Sequence, residues 1–137
     1  MPAPLDIDAV ALRFTRGVDI DDLPPWLPAL TINRRIVLNR GLTRCEERWH
    51  GAHELGHIVL GHGDQRPLIG TNDPVLAADE AAADAFRLAI VAPRWELIEK
   101  LEAGDDIEEL AVDYGLTIEH MKEAAEAAYA DWRRVVA

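Results

Sequence analysis

A histidine pair and a glutamate lie close together in the chain, at a spacing that suits metal chemistry. Residues 53–57 read His-Glu-Leu-Gly-His, the pattern H-E-x-x-H. On an α-helix, residues four apart lie one turn above each other, so His53 and His57 can direct imidazole nitrogens to one point. A tetrahedral zinc ion needs this geometry from two of its ligands. Glu54 lies about 100° further round the helix, where it can take a proton from a water molecule at the metal without binding the ion.

A second acidic pair can supply the remaining parts of a catalytic metal site. Glu80 and Asp84 are four residues apart in an Ala-rich segment, so both carboxylates are expected on one stripe of a buried helix. Catalytic zinc sites use three protein ligands, and Glu80 is the natural third one. Asp84 can then accept a hydrogen bond from the N–H of a ligating histidine. Taken alone, Glu80 would also fit as a solvated residue near a helix N-terminus, favoured by the helix dipole.

Two further histidines flank the motif. The longer zinc pattern H-E-x-x-H-x-x-G-x-x-H is not met, because Leu60 and Gly63 occupy its last two fixed positions. His62 is one residue out of that frame, so we expect it near the cleft but not as a metal ligand. His50 lies one turn before His53 and either contacts substrate or faces the solvent of the cleft. Peptide hydrolysis needs a further donor for the oxyanion, and the sequence does not choose among four candidates: His50, His62, Tyr114 and His120.

The helix that carries the motif is expected to be buried on most sides. Apolar residues cover most of its circumference and polar ones share the remaining arc: Trp49, Ala52, Leu55, Ile58, Val59 and Leu60 against His50, His53, Glu54 and His57. Buried polar groups need partners. A shared metal is the simplest partner, and histidines satisfied within an ordinary core are the alternative. A capping box formed by Thr43 and Glu46 predicts a helix from about Arg44 to Leu60, ended by Gly61.

The flanking segments are expected to supply a small sheet and further helices. Residues 30–39 form two β-branched runs around Asn33-Arg34-Arg35, which predicts a hairpin packed on the motif helix. The Gly- and Pro-containing stretch 61–74 is predicted to be a long loop that forms a wall of the substrate cleft. Apolar spacing and capping residues predict five other helices: Asp6 to about Arg16, about Val75 to Val91, Arg94 to Leu101, Asp106 to Tyr114 and Thr117 to Val135.

The last two of these helices, joined at Gly115, also resemble a helix–turn–helix, a pattern that many DNA-binding proteins use. The second helix begins with an acidic run, Thr-Ile-Glu-His-Met-Lys-Glu over residues 117–123, where base-reading helices carry Arg, Lys, Asn or Gln. Residues 71–137 hold six Lys and Arg against sixteen Asp and Glu, a balance that repels phosphate. We therefore expect this helix to pack on the core through an apolar stripe: Ile118, Met121, Ala125, Ala128, Trp132 and Val135.

The composition is that of one globular domain. The chain has 137 residues, of which 49% are hydrophobic and 28% charged, and its net charge is −11. A chain of this length and hydrophobic content can form one core. No apolar run is long enough to cross a membrane, and the first residues lack the features of a signal peptide. Cys45 is the single cysteine, so no internal disulfide is expected. These features predict a cytoplasmic protein that binds neither nucleic acid nor membrane.

The chain resembles the ImmA/IrrE family of small zinc-dependent metallo-endopeptidases. The matching blocks are Ile-Val-Leu-Asn at 36–39, Arg48, Ala-His-Glu-Leu-Gly-His-Ile-Val-Leu-Gly-His at 52–62, and Glu-Ala-Ala-Ala-Asp-Ala-Phe at 80–86, continuing to Ala92-Pro93. The resemblance extends over roughly residues 30–120. It implies a compact thermolysin-like zincin core, with His53, His57 and Glu80 as ligands and Glu54 as catalytic base. It also implies that the substrates are DNA-binding regulators.

Three positions depart from the family pattern. Asp84 stands where Asn is usual, Ala82 where an acidic residue is usual, and Gly51 where a large apolar residue is usual. Asp84 suits the role of hydrogen-bond acceptor for a ligand. Glycine inside a helix costs about 1 kcal/mol relative to alanine, so we expect Gly51 to allow a neighbour to pack closely.

Together these features predict an α+β, mostly helical fold in a single domain of residues 1–137. A zincin core of about residues 1–92 carries a small N-terminal sheet or hairpin, and a C-terminal helical bundle of about residues 93–137 packs on it. The predicted function is zinc-dependent hydrolysis of a peptide bond in a protein substrate, a transcriptional regulator. A zinc-bearing domain that binds a regulator with little or no hydrolysis is the alternative; a DNA-binding module is disfavoured by charge. Glu54 favours catalysis, because it has no structural duty at a zinc site.

Overall fold

The computed structural model describes residues 6–63 and 72–136. In this part of the chain the elements follow in the order α1 (Ile7–Phe14), β1 (Val18–Asp21), β2 (Ala29–Ile32), β3 (Arg35–Asn39), α2 (Arg44–Val59), α3 (Pro74–Val91), α4 (Arg94–Glu102), α5 (Ile107–Tyr114) and α6 (Ile118–Val136). The predicted α+β, mostly helical class is confirmed. Most of the loop predicted over residues 61–74 lies outside the described residues. Among the described helices, none combines the length and apolarity needed to cross a membrane.

The strands form one three-stranded sheet in the order β1-β3-β2. β2 and β3 are the predicted hairpin, paired antiparallel. Its turn residues Asn33 and Arg34 have φ angles of 49° and 63°, as a two-residue type I′ turn requires. β1 pairs parallel to β3. The sequence does not predict β1, because this strand has four residues and no fully buried one, so it leaves no clear apolar face to recognise.

The central helix, α2, begins as predicted. The Thr43 hydroxyl accepts a hydrogen bond from the Glu46 N–H, and the Glu46 carboxylate accepts one from the Thr43 N–H. This capping box satisfies two backbone donors that the helix itself leaves free. Leu60 is the C-cap residue. Gly61 follows with φ 75°, a left-handed conformation that glycine adopts without strain.

α2 packs against α1, β2, β3 and α3, so the predicted packing of the hairpin on this helix is confirmed. Its apolar residues Trp49, Ala52, Leu55 and Ile58 are buried. Val59 and Leu60, which the apolar pattern also places on the buried side, are 39% and 47% exposed. The last turn of α2 therefore lies at the edge of the core, and burial on most sides applies only to the turns before it.

The most extensive helix contact joins α2 to α3, and Gly56 allows the two helices to approach closely. A Cβ atom at Gly56 would lie 3.2 Å from the Cα of Ala83 and 3.1 Å from the Cδ1 of Phe86. At Gly51 a Cβ atom would lie 4.0 Å from the nearest described atom, the Cδ2 of Leu38, which is ordinary contact. The expectation of close packing at Gly51 is therefore wrong, and Gly56 is the glycine that the helix contact needs.

α3 begins at Pro74, after the N-cap residue Asp73, in a position where proline suits the first helical turn. Among its residues, Ala83 and Val91 are fully buried. The prediction of a buried helix is wrong, because α3 covers α2 with one face and leaves the other on the surface. Its carboxylates can therefore face a site along α2 and still reach solvent.

The C-terminal helices α4 to α6 lie within two residues of their predicted limits. α6 packs against α4 and α5, and its buried residues are Met121, Ala124, Ala125 and Ala128. Ile118 and Val135, expected in the packed stripe, are 43% and 65% exposed, so the buried part of the stripe does not reach either end of the helix. One cluster of buried apolar side chains includes residues of α1, the sheet and these C-terminal helices. The division near residue 92 stays a prediction.

Candidate metal centre

Three potential ligands converge where α2 faces α3. The Nε2 atoms of His53 and His57 lie 3.2 Å apart. One carboxylate oxygen of Glu80 lies 3.0 Å from His53 Nε2, and the other lies 2.9 Å from His57 Nε2. One donor atom from each residue therefore lies within 4.8 Å of the others, a group that could hold a metal ion.

The outer nitrogens of the two histidines have partners of their own. His53 Nδ1 lies 2.8 Å from a carboxylate oxygen of Asp84, and His57 Nδ1 lies 2.8 Å from His62 Nδ1. A neutral imidazole carries one hydrogen, so a histidine that donates from Nδ1 presents a lone pair at Nε2. Both Nε2 atoms would then face each other and the Glu80 carboxylate as acceptors. Such a set is repulsive unless a cation lies among its members.

The donor types fit zinc as that cation, and so does the 3.2 Å distance between the two Nε2 atoms. Imidazole nitrogen and carboxylate oxygen are common zinc ligands, and a tetrahedral site with bonds of ~2.0–2.1 Å places its ligand atoms about 3.3 Å apart. In the metal-free chain a proton can take the same place. Burial lowers the pKa of His53, but hydrogen bonds to Asp84 and Glu80 outweigh it and raise this pKa to about 9. The hydrogen bonds from His53 and His57 in turn lower the pKa of Glu80.

Asp84 links His53 to a cation, Arg87, that no motif in the sequence points to. The Arg87 guanidinium donates to Asp84 at 2.7 Å and lies 4.1 Å from the ring centroid of Trp49. Only 11% of the Arg87 side chain is exposed. The hydrogen bond to His53 and the charge of Arg87 lower the pKa of Asp84, which keeps it an acceptor. The (i, i+3) spacing of Asp84 and Arg87 is the one local signal for this contact.

Glu54 is on α2, and its side chain contacts the edge strand β2. It is 9% exposed, and one carboxylate oxygen accepts a 2.6 Å hydrogen bond from the Thr31 hydroxyl. Burial raises the pKa of Glu54 against the opposing effect of that hydrogen bond, and a raised value suits a general base that works near neutral pH. The sequence gives no sign of Thr31 as a site residue, because its contact depends on how β2 docks on α2.

The other candidate donors differ in their surroundings. The His50 ring meets the His120 ring edge-on, with centroids 5.6 Å apart. His120 stacks on Trp49 at 4.4 Å with an interplanar angle of 6°. Tyr114 is buried, and its ring lies 4.8 Å from the ammonium group of Lys100 on α4, a helix that contributes none of the converging ligands. His50 and His120 thus share one surface of α2 and α6, while Tyr114 packs against another element.

His62 lies next to His57, one of the three potential ligands. The group of residues able to hold a metal includes His53, His57 and Glu80 but not His62. The exclusion of His62 from the ligand set stays a prediction. Its ring contacts the ring of His57, a potential ligand.

The comparison with protein families identifies the chain. Residues 8–126 match the model of the family Peptidase_M78, described as the IrrE N-terminal-like domain. No curated protein and no solved structure matches the chain significantly. The family match covers far more than half of the chain and includes the converging residues of α2 and α3. The resemblance to the ImmA/IrrE family is thereby confirmed, and the protein belongs to this family of metallopeptidases.

Proposed function

We propose that the protein is a zinc-dependent endopeptidase that hydrolyses a peptide bond within a protein substrate. The observation that carries this proposal is the convergence of His53 Nε2, His57 Nε2 and the Glu80 carboxylate, all within 4.8 Å. Their acceptor character calls for a cation, and the nitrogen and oxygen donors suit zinc. Glu54 lies next to the first of these ligands in the chain and has no structural duty in holding an ion.

The proposed chemistry divides between the ion and the residues of this chain. Zinc, when bound by His53, His57 and Glu80, would supply a Lewis acid that polarises the scissile carbonyl and lowers the pKa of water. Glu54 takes the proton from the attacking water and passes it to the leaving amine. Thr31 orients the Glu54 carboxylate through its 2.6 Å hydrogen bond. Asp84 holds the His53 ring through Nδ1, so that Nε2 stays free for the ion.

A DNA-binding regulator in the cytoplasm is the substrate class that we favour. The resemblance to ImmA/IrrE proteins supports this class. The acidic surface supports it too, because residues 71–137 hold sixteen Asp and Glu against six Lys and Arg, and such a surface attracts a basic partner. The unpaired Cys45 is ordinary in a reducing compartment.

Metal content measured by mass spectrometry tests the ligand set. Protein purified without chelator is expected to hold about one zinc ion per chain, and the Glu80→Ala variant is expected to lose it. Absence of metal from the wild type, even after zinc is added, would contradict the proposal. Zinc retained fully in Glu80→Ala would remove Glu80 from the ligand set.

The Glu54→Gln variant separates metal binding from catalysis. We expect it to keep zinc and to lose hydrolysis, because the amide cannot take a proton from water. Hydrolysis is measured as zinc-dependent new peptide termini in a proteome-derived peptide mixture, read by mass spectrometry. Cleavage that persists in Glu54→Gln would contradict the mechanism. Zinc bound by the wild type without any cleavage, even with a DNA-binding regulator added, would instead favour a domain that acts by binding.

A further inference from the structure

The ring of His62 contacts the ring of His57 directly, although His62 is not one of the three potential ligands. The two Nδ1 atoms lie 2.8 Å apart. The other ring nitrogen of His62, Nε2, lies 3.4 Å from a carboxylate oxygen of Asp79 on α3. The side chains are largely buried, with 3% of His57, 12% of His62 and 20% of Asp79 exposed. His62 therefore lies between a potential ligand and a carboxylate.

The end of α2 explains why His62 reaches His57 although it falls outside the longer zinc pattern. The helix stops at Val59, and Gly61 adopts φ 75°. This left-handed residue turns the chain back, so that the His62 N–H donates to the His57 carbonyl oxygen at 2.8 Å. The His62 side chain then lies beside the His57 ring, five residues earlier in the chain.

The positions of the hydrogens on His57 and His62 follow from the single N–H that each neutral imidazole carries. If His57 presents its Nε2 lone pair to an ion, its hydrogen is on Nδ1. The Nδ1 atom of His62 must then accept, and the hydrogen of a neutral His62 is on Nε2, facing Asp79. Metal-binding histidines regularly donate their second N–H to a carboxylate or carbonyl oxygen. Here an imidazole nitrogen takes the place of that oxygen.

We propose that His62, oriented by Asp79, is a positioning residue that holds His57 in its metal-binding tautomer and orientation. The inference rests on the proposed zinc site. Both ring nitrogens of His62 are engaged in this arrangement, one by His57 and one by Asp79, so His62 is not the donor that stabilises the oxyanion. The two histidine ligands are thus supported differently, His53 by a carboxylate and His57 by a second imidazole.

Zinc affinity, measured by competition with a chromophoric chelator, tests the role of His62. We expect His62→Ala to bind zinc about 10- to 100-fold more weakly, the usual cost of losing such a contact. His62→Asn should retain most of the affinity, because its amide oxygen occupies the place of Nδ1 and accepts from His57. His62→Gln is the matched control, since its amide corresponds to the Nε2 position, and it should be as weak as His62→Ala. Circular dichroism of each metal-free variant checks that the helices are intact.

A spectroscopic measurement reads the tautomers directly. Long-range proton–nitrogen correlation of zinc-loaded, nitrogen-15-labelled protein should show His57 with its hydrogen on Nδ1 and His62 with its hydrogen on Nε2. A hydrogen on Nδ1 of His62 would overturn the inference. So would equal zinc affinity in the wild type and His62→Ala, or equal losses in the Asn and Gln variants. Failure of the wild type to bind zinc would overturn the proposed function and this inference together, whereas the other outcomes reject only the role of His62.

Discussion

At the scale of single residues, the Thr31 hydroxyl determines how the carboxylate of Glu54 is held. It donates at 2.6 Å to a side chain that is 9% exposed. We predict that Thr31→Val lowers kcat about 10- to 100-fold, because a hydrogen bond to a charged group contributes about 1.5–3 kcal/mol. Zinc content should be unchanged, since the Thr31 hydroxyl donates to Glu54, which is not one of the potential ligands. The rate of zinc-dependent cleavage in the peptide mixture measures the effect.

Thr31→Ser is the control for this prediction. It keeps the hydroxyl and removes one methyl group, so its kcat should stay near that of the wild type. Equal activity in Thr31→Val and the wild type would show that Glu54 needs no support from β2.

His50 is expected to make the stability of the fold depend on pH. Burial is the main cause that lowers its pKa to about 4, and neighbouring charges also act on it: His120, Arg87 and His53 lower the pKa and Glu46 raises it. The unfolded chain takes up this proton near pH 6.5, whereas the folded chain does so only near pH 4. Above pH 6.5 His50 is neutral in both states and costs no stability. As the pH falls from 6.5 towards 4 only the unfolded chain takes up the proton, so the free energy of unfolding decreases.

The measurement is the free energy of unfolding in urea at pH 7.5 and pH 5. We expect the wild type to lose about 1–2 kcal/mol more than His50→Gln over this interval. A proton NMR titration in which His50 becomes charged near pH 6.5 would contradict the prediction.

The sequence predicts contacts between single residues where both residues lie in the same helix. His53 and His57 are one helical turn apart, as are Glu80 and Asp84, so helix geometry alone sets each pair on one face. The sequence could not predict the contact of Thr31 with Glu54, or the position of Arg87 over Trp49. Those contacts depend on how separate elements dock, and no residue spacing records that.

At the scale of elements, the α2–α3 contact depends on the missing side chain of Gly56. We predict that Gly56→Ala destabilises the fold by about 1–3 kcal/mol, the usual range for overpacking. The new Cβ would meet the Ala83 Cα at 3.2 Å, a backbone atom that cannot rotate away. Zinc affinity should fall as well, since the shift separates the helix with His53 and His57 from the helix with Glu80.

Gly51→Ala is the matched control on the same helix. Its Cβ would lie 4.0 Å from the nearest described atom, so the better helix propensity of alanine should dominate and stabilise the fold by up to about 1 kcal/mol. Urea unfolding of both variants measures the contrast. Similar effects at the two positions would mean that the close approach at Gly56 is not limiting.

Elements were predictable where caps and turns mark them. The capping box at Thr43 located the start of α2 correctly, and the Asn33-Arg34 turn located the hairpin. β1 was not predictable, because its pairing with β3 brings together segments on either side of β2 and its own residues stay largely exposed. The sequence overestimates the burial of α3, because an Ala-rich helix has no strong polar face that would indicate its exposed side.

At the scale of the whole molecule, an ion held by His53, His57 and Glu80 would cross-link α2 to α3. We predict that saturating zinc raises the melting temperature. At 100 times its Kd a ligand stabilises the folded state by about 2.7 kcal/mol, which is roughly 10 °C for a domain of this size. Thermal unfolding with zinc and with excess chelator measures the shift.

Two variants test whether the shift in melting temperature comes from the proposed site. Glu80→Ala should lose most of the shift, because the cross-link loses its only ligand from α3. Glu99→Ala removes an exposed carboxylate on α4, outside the site, and should keep the full shift. A shift of equal size in both variants would indicate that zinc stabilises the protein somewhere else.

The Gly61 turn and the packing of α3 on α2 also bear on the order of folding. The residues proposed to bind the ion and to support its histidine ligands, from His53 to Asp84, occur in one continuous stretch, so closing a single connection brings them together. The entropy cost of such a closure grows only slowly with the length of the connection, so an ion that binds these residues can stabilise the closed arrangement before the rest of the fold is complete. We therefore expect zinc to act as a folding template, which stopped-flow refolding would detect as a faster main phase with zinc than with chelator.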